Sequence, residues 1–324
     1  MLSRVAESLY WLARYIERAE NSARLINVNA HLLLDLPIDM ARDWTPLVVI
    51  TGSTELFTER YDSYDERNVV RFLTTDAANP GSILSSLSLA REGARTIRET
   101  IPRELWELIN ELYLFAKENA NAGVSKRRRF DYLEHIIRGA QTVVGMTHGI
   151  MNHDAGFEFL RIGRILERAD MTTRIIDVRS ASLLPGEAST LGPFENIQWM
   201  SVLKSLTGYQ VYRQSIQAGV RRDLVLAFLL LDTEFPRSFS RCVNVVVESI
   251  EPLPNGKAVL RELRKLRRKV KQSNIAELGN SQDALNVFLD ELQIGLATVH
   301  KRIAATWFLP NSTEHQQLVK IPSA

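Results

Sequence analysis

The stretch YWLARYIERAENSARLINV, residues 10–28, recurs in the second half of the chain as FLRIGRILERADMTTRIIDV, residues 159–178. Glu17 and Arg18 reappear as Glu167 and Arg168, 150 positions later. Further matches at the same offset are Arg14/Arg164, Ala19/Ala169, Arg24/Arg174, Ile26/Ile176 and Val28/Val178. In both stretches the apolar residues follow one another at alternating steps of three and four, which predicts two amphipathic helices in the same register.

A second pair of similar segments lies further along each half. FLTTDAANPGS (72–82) and FLLLDTEFPRS (228–238) share Phe, Leu, Asp, Pro and Ser at an offset of 156. The Ser-, Gly- and Pro-rich stretch 180–196 accounts for the larger offset as an insertion. Repetition at a fixed spacing indicates an internal duplication.

The sequence therefore predicts an all-α fold, an internally duplicated helical bundle with pseudo-two-fold pairing of the two Glu-Arg helices. The expected parts are a first helical repeat at 1–125, a connecting helix at 126–149, a second helical repeat at 150–305 and a tail at 306–324, together one compact unit. Asn79-Pro80 should begin a helix that ends at Pro102. The β-branched run CVNVVVESI is assigned to a helix by its place in the repeat.

The composition is that of an ordinary globular protein. Of the 324 residues 45% are hydrophobic and 24% are charged, and the formal net charge is +2. This balance provides no global field for nucleic acid or an anionic membrane, so neither is an expected partner. The single cysteine, Cys242, fits a reducing compartment, the start of the chain does not resemble a signal peptide, and the longest apolar run is too short to cross a bilayer. We expect a cytoplasmic protein.

The two charged helices carry the candidate functional residues. On a helical wheel Glu17, Glu20 and Arg24 fall on one flank of the apolar stripe, whereas Arg14 and Arg18 project from the far side. An exposed acid–base pair spaced by four residues contributes only about 0.2–0.5 kcal/mol. If the two helices pack together about a pseudo-two-fold axis, however, their flanks bring Glu17 and Glu167 together with Arg24 and Arg174 at one buried centre. Losing one partner there costs about 3–5 kcal/mol.

Two interpretations of this centre stay open. Either it only fixes the register of the two helices, or it binds an anionic ligand, because paired arginines hold carboxylate or phosphate groups and a desolvated Glu serves as acid or base. In the second interpretation the candidate catalytic residues are Glu17 and Glu167. The candidate ligand-binding residues are then Arg14, Arg18, Arg24, Arg164, Arg168 and Arg174.

No other cluster predicts a metal ion or a cofactor. His148 and His153 lie near Asn152 and Asp154, but a spacing of five turns two helical histidines apart, so capping or surface roles are favoured. The chain has no phosphate-binding glycine loop, nucleophile elbow, zinc-protease helix or di-iron pair. The basic run 257–271 has a narrow apolar stripe, which predicts the solvent face of an amphipathic helix rather than a nucleic-acid site.

Several motifs in combination resemble the bacterial alpha-E domain family, an all-helical group named for its Glu-Arg motif. They are MLSRVAESLYWLARYIERAENSARL, FLRIGRILERAD, NPGSI, ARTIRETIPRELWELIN and FPRS, and together they cover nearly the whole chain. Glu17-Arg18 and Glu167-Arg168 map onto the family motif. The resemblance therefore implies an all-helical fold.

The resemblance also implies a context, but no activity. Such proteins are typically encoded beside, or fused to, circularly permuted ATP-grasp proteins and transglutaminase-like proteases, and are thought to belong to a peptide-modifying system. Ala13 stands where a glycine is common, as Gly163 still is, and Phe157 where a tryptophan is common. These departures affect the packing around the motif.

Two hypotheses follow. In the first, the chain is a helical partner or substrate-presenting module of an ATP-grasp-linked, amide-forming system, and ATP is handled by the partner. In the alternative, it is an enzyme that uses Glu17 and Glu167 for acid–base chemistry, with Arg24 and Arg174 holding an anionic peptide-like or phosphorylated substrate. The sequence leaves open whether the chain is catalytic, and it does not predict an oligomeric state.

Overall fold

The structure, a computed structural model, describes residues 2–35, 44–181 and 192–309, and all regular structure in these ranges is helical. The helices are α1 Ser3–Asp35, α2 Thr45–Ile50, α3 Thr54–Thr58, α4 Glu66–Thr74, α5 Ile83–Thr96, α6 Arg103–Glu118, α7 Ala120–Val124, α8 Arg129–Ile150, α9 Ala155–Ala181, α10 Gly192–Ser205, α11 Tyr209–Ser215, α12 Arg222–Leu231, α13 Phe239–Ile250, α14 Lys257–Lys271, α15 Ile275–Asn280 and α16 Gln282–Ile303. A π-helical turn, Ala304–Phe308, follows α16. The all-α prediction is confirmed.

Helices α1 and α9 pack against each other at the centre of the structure. They run in the same direction, because contacts advance together along both: Tyr10 lies against Gly163, and further on Arg179 donates to Asn29 at 2.7 Å. Helices α5 and α8 also pack against α1, and α6 contacts both. Around α9 the same arrangement is formed by α13, α16 and α14, and buried apolar residues from both groups form one core cluster.

The segments that precede α5 and α13 end in the same way. Ser82 accepts a hydrogen bond from the Ser85 backbone N–H at 3.1 Å and caps α5, as Ser238 caps α13. The prediction that α5 begins at Asn79-Pro80 and ends at Pro102 is wrong at both ends, since the helix spans Ile83–Thr96. The Asn79 side chain instead accepts from the Gly81 N–H at 2.9 Å and closes a turn before the helix.

The helical assignment of CVNVVVESI is confirmed, because this run forms most of α13 and buries its valines. At the C-terminal end, the packed chain continues into the predicted tail. The Phe308 ring lies 5.2 Å from the ring of Tyr10, centroid to centroid, so this apolar side chain holds residues 306–308 against α1. The remainder of the predicted tail, 310–324, lies outside the described residues. No helix in the described part of the chain has both the length and the apolar character that a bilayer-spanning segment requires.

Gly163 sets the distance between α1 and α9. A Cβ atom on this residue would lie 2.1 Å from the carbonyl oxygen of Tyr10, far inside van der Waals contact. The colliding atom belongs to the backbone of α1, which cannot rotate away as a side chain does. Only glycine at this position therefore permits the observed approach of the two helices.

We predict that Gly163→Ala lowers the free energy of unfolding by at least about 1–3 kcal/mol, because α1 and α9 must move apart. The matched control is Gly145→Ala in α8, an exposed site where an added Cβ has no neighbour within 4 Å. That control should raise the free energy of unfolding by about 0.5–1 kcal/mol through helix propensity alone. Urea denaturation of both variants measures the difference, and equal stabilities would contradict this account of the helix contact.

Candidate functional site

The Glu-Arg centre lies along the α1–α9 contact, where each helix supplies a carboxylate to the arginines of the other. Arg18 of α1 binds Glu167, and its counterpart Arg168 of α9 binds Glu17. The predicted placement of Arg14 and Arg18 away from the centre is wrong, since both bind Glu167. A helical wheel places the two groups of charged residues on opposite flanks of the apolar stripe of α1. In the structure α9 packs on the stripe itself, so it contacts residues of both flanks.

One half of the centre, the sealed half, consists of Glu17, Glu20, Asn21, Arg24, Arg168 and Arg237. Arg168 binds Glu17 through two hydrogen bonds of 2.8 and 2.9 Å. Arg237, from the segment before α13, donates to Glu17 at 3.1 Å, to Asn21 at 2.9 Å and to Glu20 at 2.8 Å. The side chains of Glu17 and Arg237 are 0% and 6% exposed, so this half is closed to solvent. Arg24 completes it with a 2.8 Å bond to Glu20.

The other half, the open half, consists of Glu167, Asp170, Arg14, Arg18 and Arg174. Glu167 accepts three hydrogen bonds, from Arg14 at 2.7 Å and from Arg18 at 2.6 and 3.1 Å. Arg174 donates to Asp170 at 2.8 Å. All five side chains border a cleft of about 710 Å³, whose other walls include Ser22 and the segments 50–56 and 79–81.

Both glutamates are held ionised. Burial alone would raise the pKa of Glu17, but the charges of Arg168 and Arg237 outweigh burial and place this pKa well below its usual range. The pKa of Glu167 is lowered in the same way by Arg14 and Arg18. Neither carboxylate is therefore tuned toward neutral pH, where a general acid or base works best.

The centre extends from Arg14 to the last helix. Arg14 donates to the Tyr10 hydroxyl at 3.1 Å, and that hydroxyl lies 2.8 Å from Nδ1 of His300 in α16. Burial raises the pKa of Tyr10 and lowers that of His300. Arg14 is thus fixed at two points and presents one orientation to Glu167.

Arg164 differs from the other candidate arginines. Its counterpart Arg14 binds a glutamate, whereas Arg164 has no carboxylate partner among the described residues and lies 3.4 Å from Nε2 of His148. Burial, followed by the nearby charge of Arg168, lowers its pKa to about 10. Arg237 occupies the position on Glu17 that Arg164 would take, so Arg164 turns to a small apolar pocket beside Phe157.

The other candidates from the sequence lie outside the centre. The rings of His148 and His153 are 6.1 Å apart, and the described residues contain no group of three or more His, Cys, Asp or Glu placed to hold a metal ion. The basic run forms α14, whose apolar stripe of Val259, Leu263, Leu266 and Val270 is buried and whose charges face outward.

Sequence reasoning missed Arg237, the cation of the sealed half. It lies 220 positions from Glu17, and nothing in its neighbourhood marks it as part of the centre. A signal was present in the repeat itself, because FLTTDAANPGS has Gly81 where FLLLDTEFPRS has Arg237. Gly81 lines the cleft of the open half, so this difference contributes to the contrast between the two halves.

Comparison with known proteins agrees with the helical fold and the Glu-Arg motif. The Alpha-E family model, described as a predicted alpha-helical domain with a conserved ER motif, matches residues 1–308. Uncharacterized proteins of Mycobacterium bovis and Mycobacterium tuberculosis are 23% identical to the chain, over 90% of this chain and 35% of their own length. The chain thus spans about a third of the length of the curated relatives it matches. No solved structure matches it.

We predict that Arg237→Ala lowers the free energy of unfolding by about 3–5 kcal/mol, because Glu17 and Glu20 each lose one of their two buried arginine partners. Arg241→Ala, one helical turn further on, is the matched control. Arg241 is 36% exposed and binds Glu248 at 3.4 Å, so its loss should cost less than about 1 kcal/mol. Denaturant unfolding monitored by circular dichroism measures both, and similar losses would contradict a buried role for Arg237.

We predict that acid destabilises the fold through the two glutamates. Their pKa values are lower in the folded chain than the ordinary value of 4.5. The unfolded chain therefore takes up protons first, and the stability that is complete above about pH 4.5 is lost as the pH falls toward the folded pKa. In thermal melts between about pH 6 and pH 3, Glu17→Gln should be less stable at pH 6 and change less with pH than the native chain. An unchanged pH dependence in this variant would refute the assignment.

Proposed function

Because the chain belongs to the Alpha-E family, we propose that it acts as a helical partner or substrate-presenting module in an ATP-grasp-linked, amide-forming peptide-modification system. The observation that carries the proposal is the open half of the Glu-Arg centre. There a cleft of about 710 Å³ is bordered by three arginines, each held in place by a hydrogen bond to a carboxylate. That volume lies within the usual range of about 300–1,000 Å³ for ligand sites. The relatives, which are about three times as long, support a module that works with other parts.

We also infer that the two halves of the chain arose by duplication and pair about a pseudo-two-fold axis. The order of helices supports this, since α1–α8 and α9–α16 each begin with the central Glu-Arg helix and end with a helix of 22 residues. The reciprocal bonds of Arg18 to Glu167 and of Arg168 to Glu17 support it as well. In this scheme α8 closes the first repeat, which places the connecting segment 126–149 within that repeat.

Binding is favoured over catalysis by the state of the reactive groups. Glu17 is enclosed in the sealed half, and Glu167 already accepts three hydrogen bonds from arginines. Burial raises the pKa of the Cys242 thiol to about 11, which leaves it protonated and poorly nucleophilic. Of the two catalytic candidates of the alternative, an enzyme with a Glu/Arg site, only Glu167 borders the cleft, and Glu17 does not.

In this proposal ATP is bound by the ATP-grasp partner and the chain itself carries no cofactor. A transglutaminase-like protein is a second expected partner, and neither nucleic acid nor membrane is one. The proposal places the chain in the cytoplasm, where an ATP-dependent ligation has its co-substrate. Its role is to hold a peptide while the partner activates and joins a carboxyl group.

The test is reconstitution with an ATP-grasp protein from the same organism. We expect a complex that forms at micromolar concentration and in which the chain raises peptide-dependent ATP hydrolysis by about tenfold or more over the partner alone. Failure to form a complex at that concentration would overturn the proposal. Turnover by the chain alone, lost in Glu167→Gln with the melting temperature unchanged, would establish the enzyme instead.

A further inference from the structure

One of the differences between the two halves of the centre is a residue that has the same place in each repeat. Ser82 and Ser238 cap equivalent helices, and the residue before each cap is Gly81 in one repeat and Arg237 in the other. Arg237 extends into the sealed half and binds Glu17 and Glu20. Gly81 has no side chain to fill the corresponding space, and it borders the cleft.

A hydroxyl in the wall of this cleft has no partner. Ser22 is 1% exposed, and its Oγ makes no hydrogen bond. Its counterpart Thr172 donates to the backbone oxygens of Arg168 and Arg237 at 3.0 and 2.9 Å. A buried hydroxyl left without a partner costs about 1–3 kcal/mol, so a ligand that bonds Ser22 recovers that free energy.

The arginines of the open half also retain free donors. Arg14 and Arg18 bind Glu167 but leave one terminal nitrogen each, Nη2 and Nη1, without an acceptor among the described residues. Arg174 binds Asp170 through Nε alone and leaves both terminal nitrogens free. Its Nη1 lies 2.9 Å from where a Cβ of Gly52 would stand, and Gly52 has φ +66°, so this glycine lets the guanidinium rest on the backbone.

The hydrogen bonds already made in the two halves indicate whether the cleft accepts an anion or a cation. In the sealed half Arg237 fills an acceptor position on Glu17, but in the open half Arg14 already fills the corresponding position on Glu167. The inner wall of the cleft holds three guanidiniums and two carboxylates, and the remaining acid, Glu55, is exposed to screening solvent. The cleft therefore lacks acceptors rather than donors.

We propose that this cleft binds an oxyanion group of its ligand, a carboxylate or a phosphate, through Arg18, Arg174 and Ser22. Arginine suits this role because its planar donors match both groups in pairs. The inference rests on the proposed presenting function and deepens it by naming the group by which the presented molecule is held. In a peptide, that group is an acidic side chain, the terminal carboxylate or a phosphorylated residue.

The test measures binding to the isolated chain by calorimetry with three probes: tetraglutamate, tetralysine and inorganic phosphate. We expect the native chain to bind tetraglutamate or phosphate and not tetralysine. Gly81→Glu should weaken that binding by about tenfold or more, because it places in the cleft a carboxylate that repels an oxyanion and competes for the arginine donors. The added Cβ meets only the Asn79 side chain, at 3.2 Å, and Gly81 does not have a positive φ, so the backbone tolerates the change.

Gly145→Glu is the matched control, since it adds the same charge at an exposed position with nothing within 4 Å of its Cβ, outside the cleft. Arg174→Gln provides a second variant that removes donors without adding bulk, and it too should weaken binding by about tenfold. Binding of tetraglutamate identifies a carboxylate as the group, and binding of phosphate alone identifies a phosphate.

The proposal is overturned if neither anion binds, if tetralysine binds better, or if binding is the same in Gly81→Glu, Arg174→Gln and the control. Such a failure is distinct from failure of the proposed function. A chain that binds no oxyanion still forms a complex with its partner if the partner role is right, and a chain without a partner still binds the probes if the cleft is assigned correctly.

Discussion

Two buried carboxylates, each held by arginines of the opposite helix, are the constraint on which the structure depends. Ionised groups are costly to remove from water, and the cost is met only when guanidiniums surround them. Glu17 takes its partner from α9, and Glu167 takes both of its partners from α1. Sliding or separating the two helices would therefore expose unpaired charge at both sites together. The contact at Gly163 keeps the helices close enough for these bonds to form.

One side of this pairing is closed by the chain itself, and the other is not. Arg237 adds a third element, the segment before α13, to the bonds that hold α1 and α9. Gly81 adds no side chain on the opposite side, where the same kind of network borders a cleft. The sealed half supplies cohesion that does not depend on a ligand. Because the sealed half holds α1 and α9 together, the open half can retain guanidinium N–H groups that have no acceptor. A network that alone held the two helices together could not leave such donors unpaired without loss of stability.

The sequence predicted the helices and a shared charged centre on the two Glu-Arg helices, because periodicity and repetition are local properties that can be read directly. It grouped Glu17 and Glu167 with Arg24 and Arg174, however, whereas these glutamates bind Arg168 and Arg18. It did not predict the cap at Ser82, since Asn79 offers an equally good cap and only the tertiary turn decides between them. Nor did it predict Arg237, whose partners lie over 200 positions away. One half is closed because the segment before α13 covers that flank of α1. A helical wheel of α1 carries no information about which segment packs there.

The way Arg14 and Arg18 bind Glu167 explains how one set of residues can both hold the fold and receive a ligand. Each donates its Nε–H to the buried carboxylate and uses one terminal nitrogen as well, Arg18 on Glu167 and Arg14 on Tyr10, so the remaining terminal nitrogen is already oriented. A ligand then loses little free energy to ordering side chains, which is the usual cost of binding to flexible arginines. The carboxylate beneath also keeps the guanidiniums from repelling one another. A structural ion network and a binding surface are therefore compatible here, because they use different atoms of the same side chains.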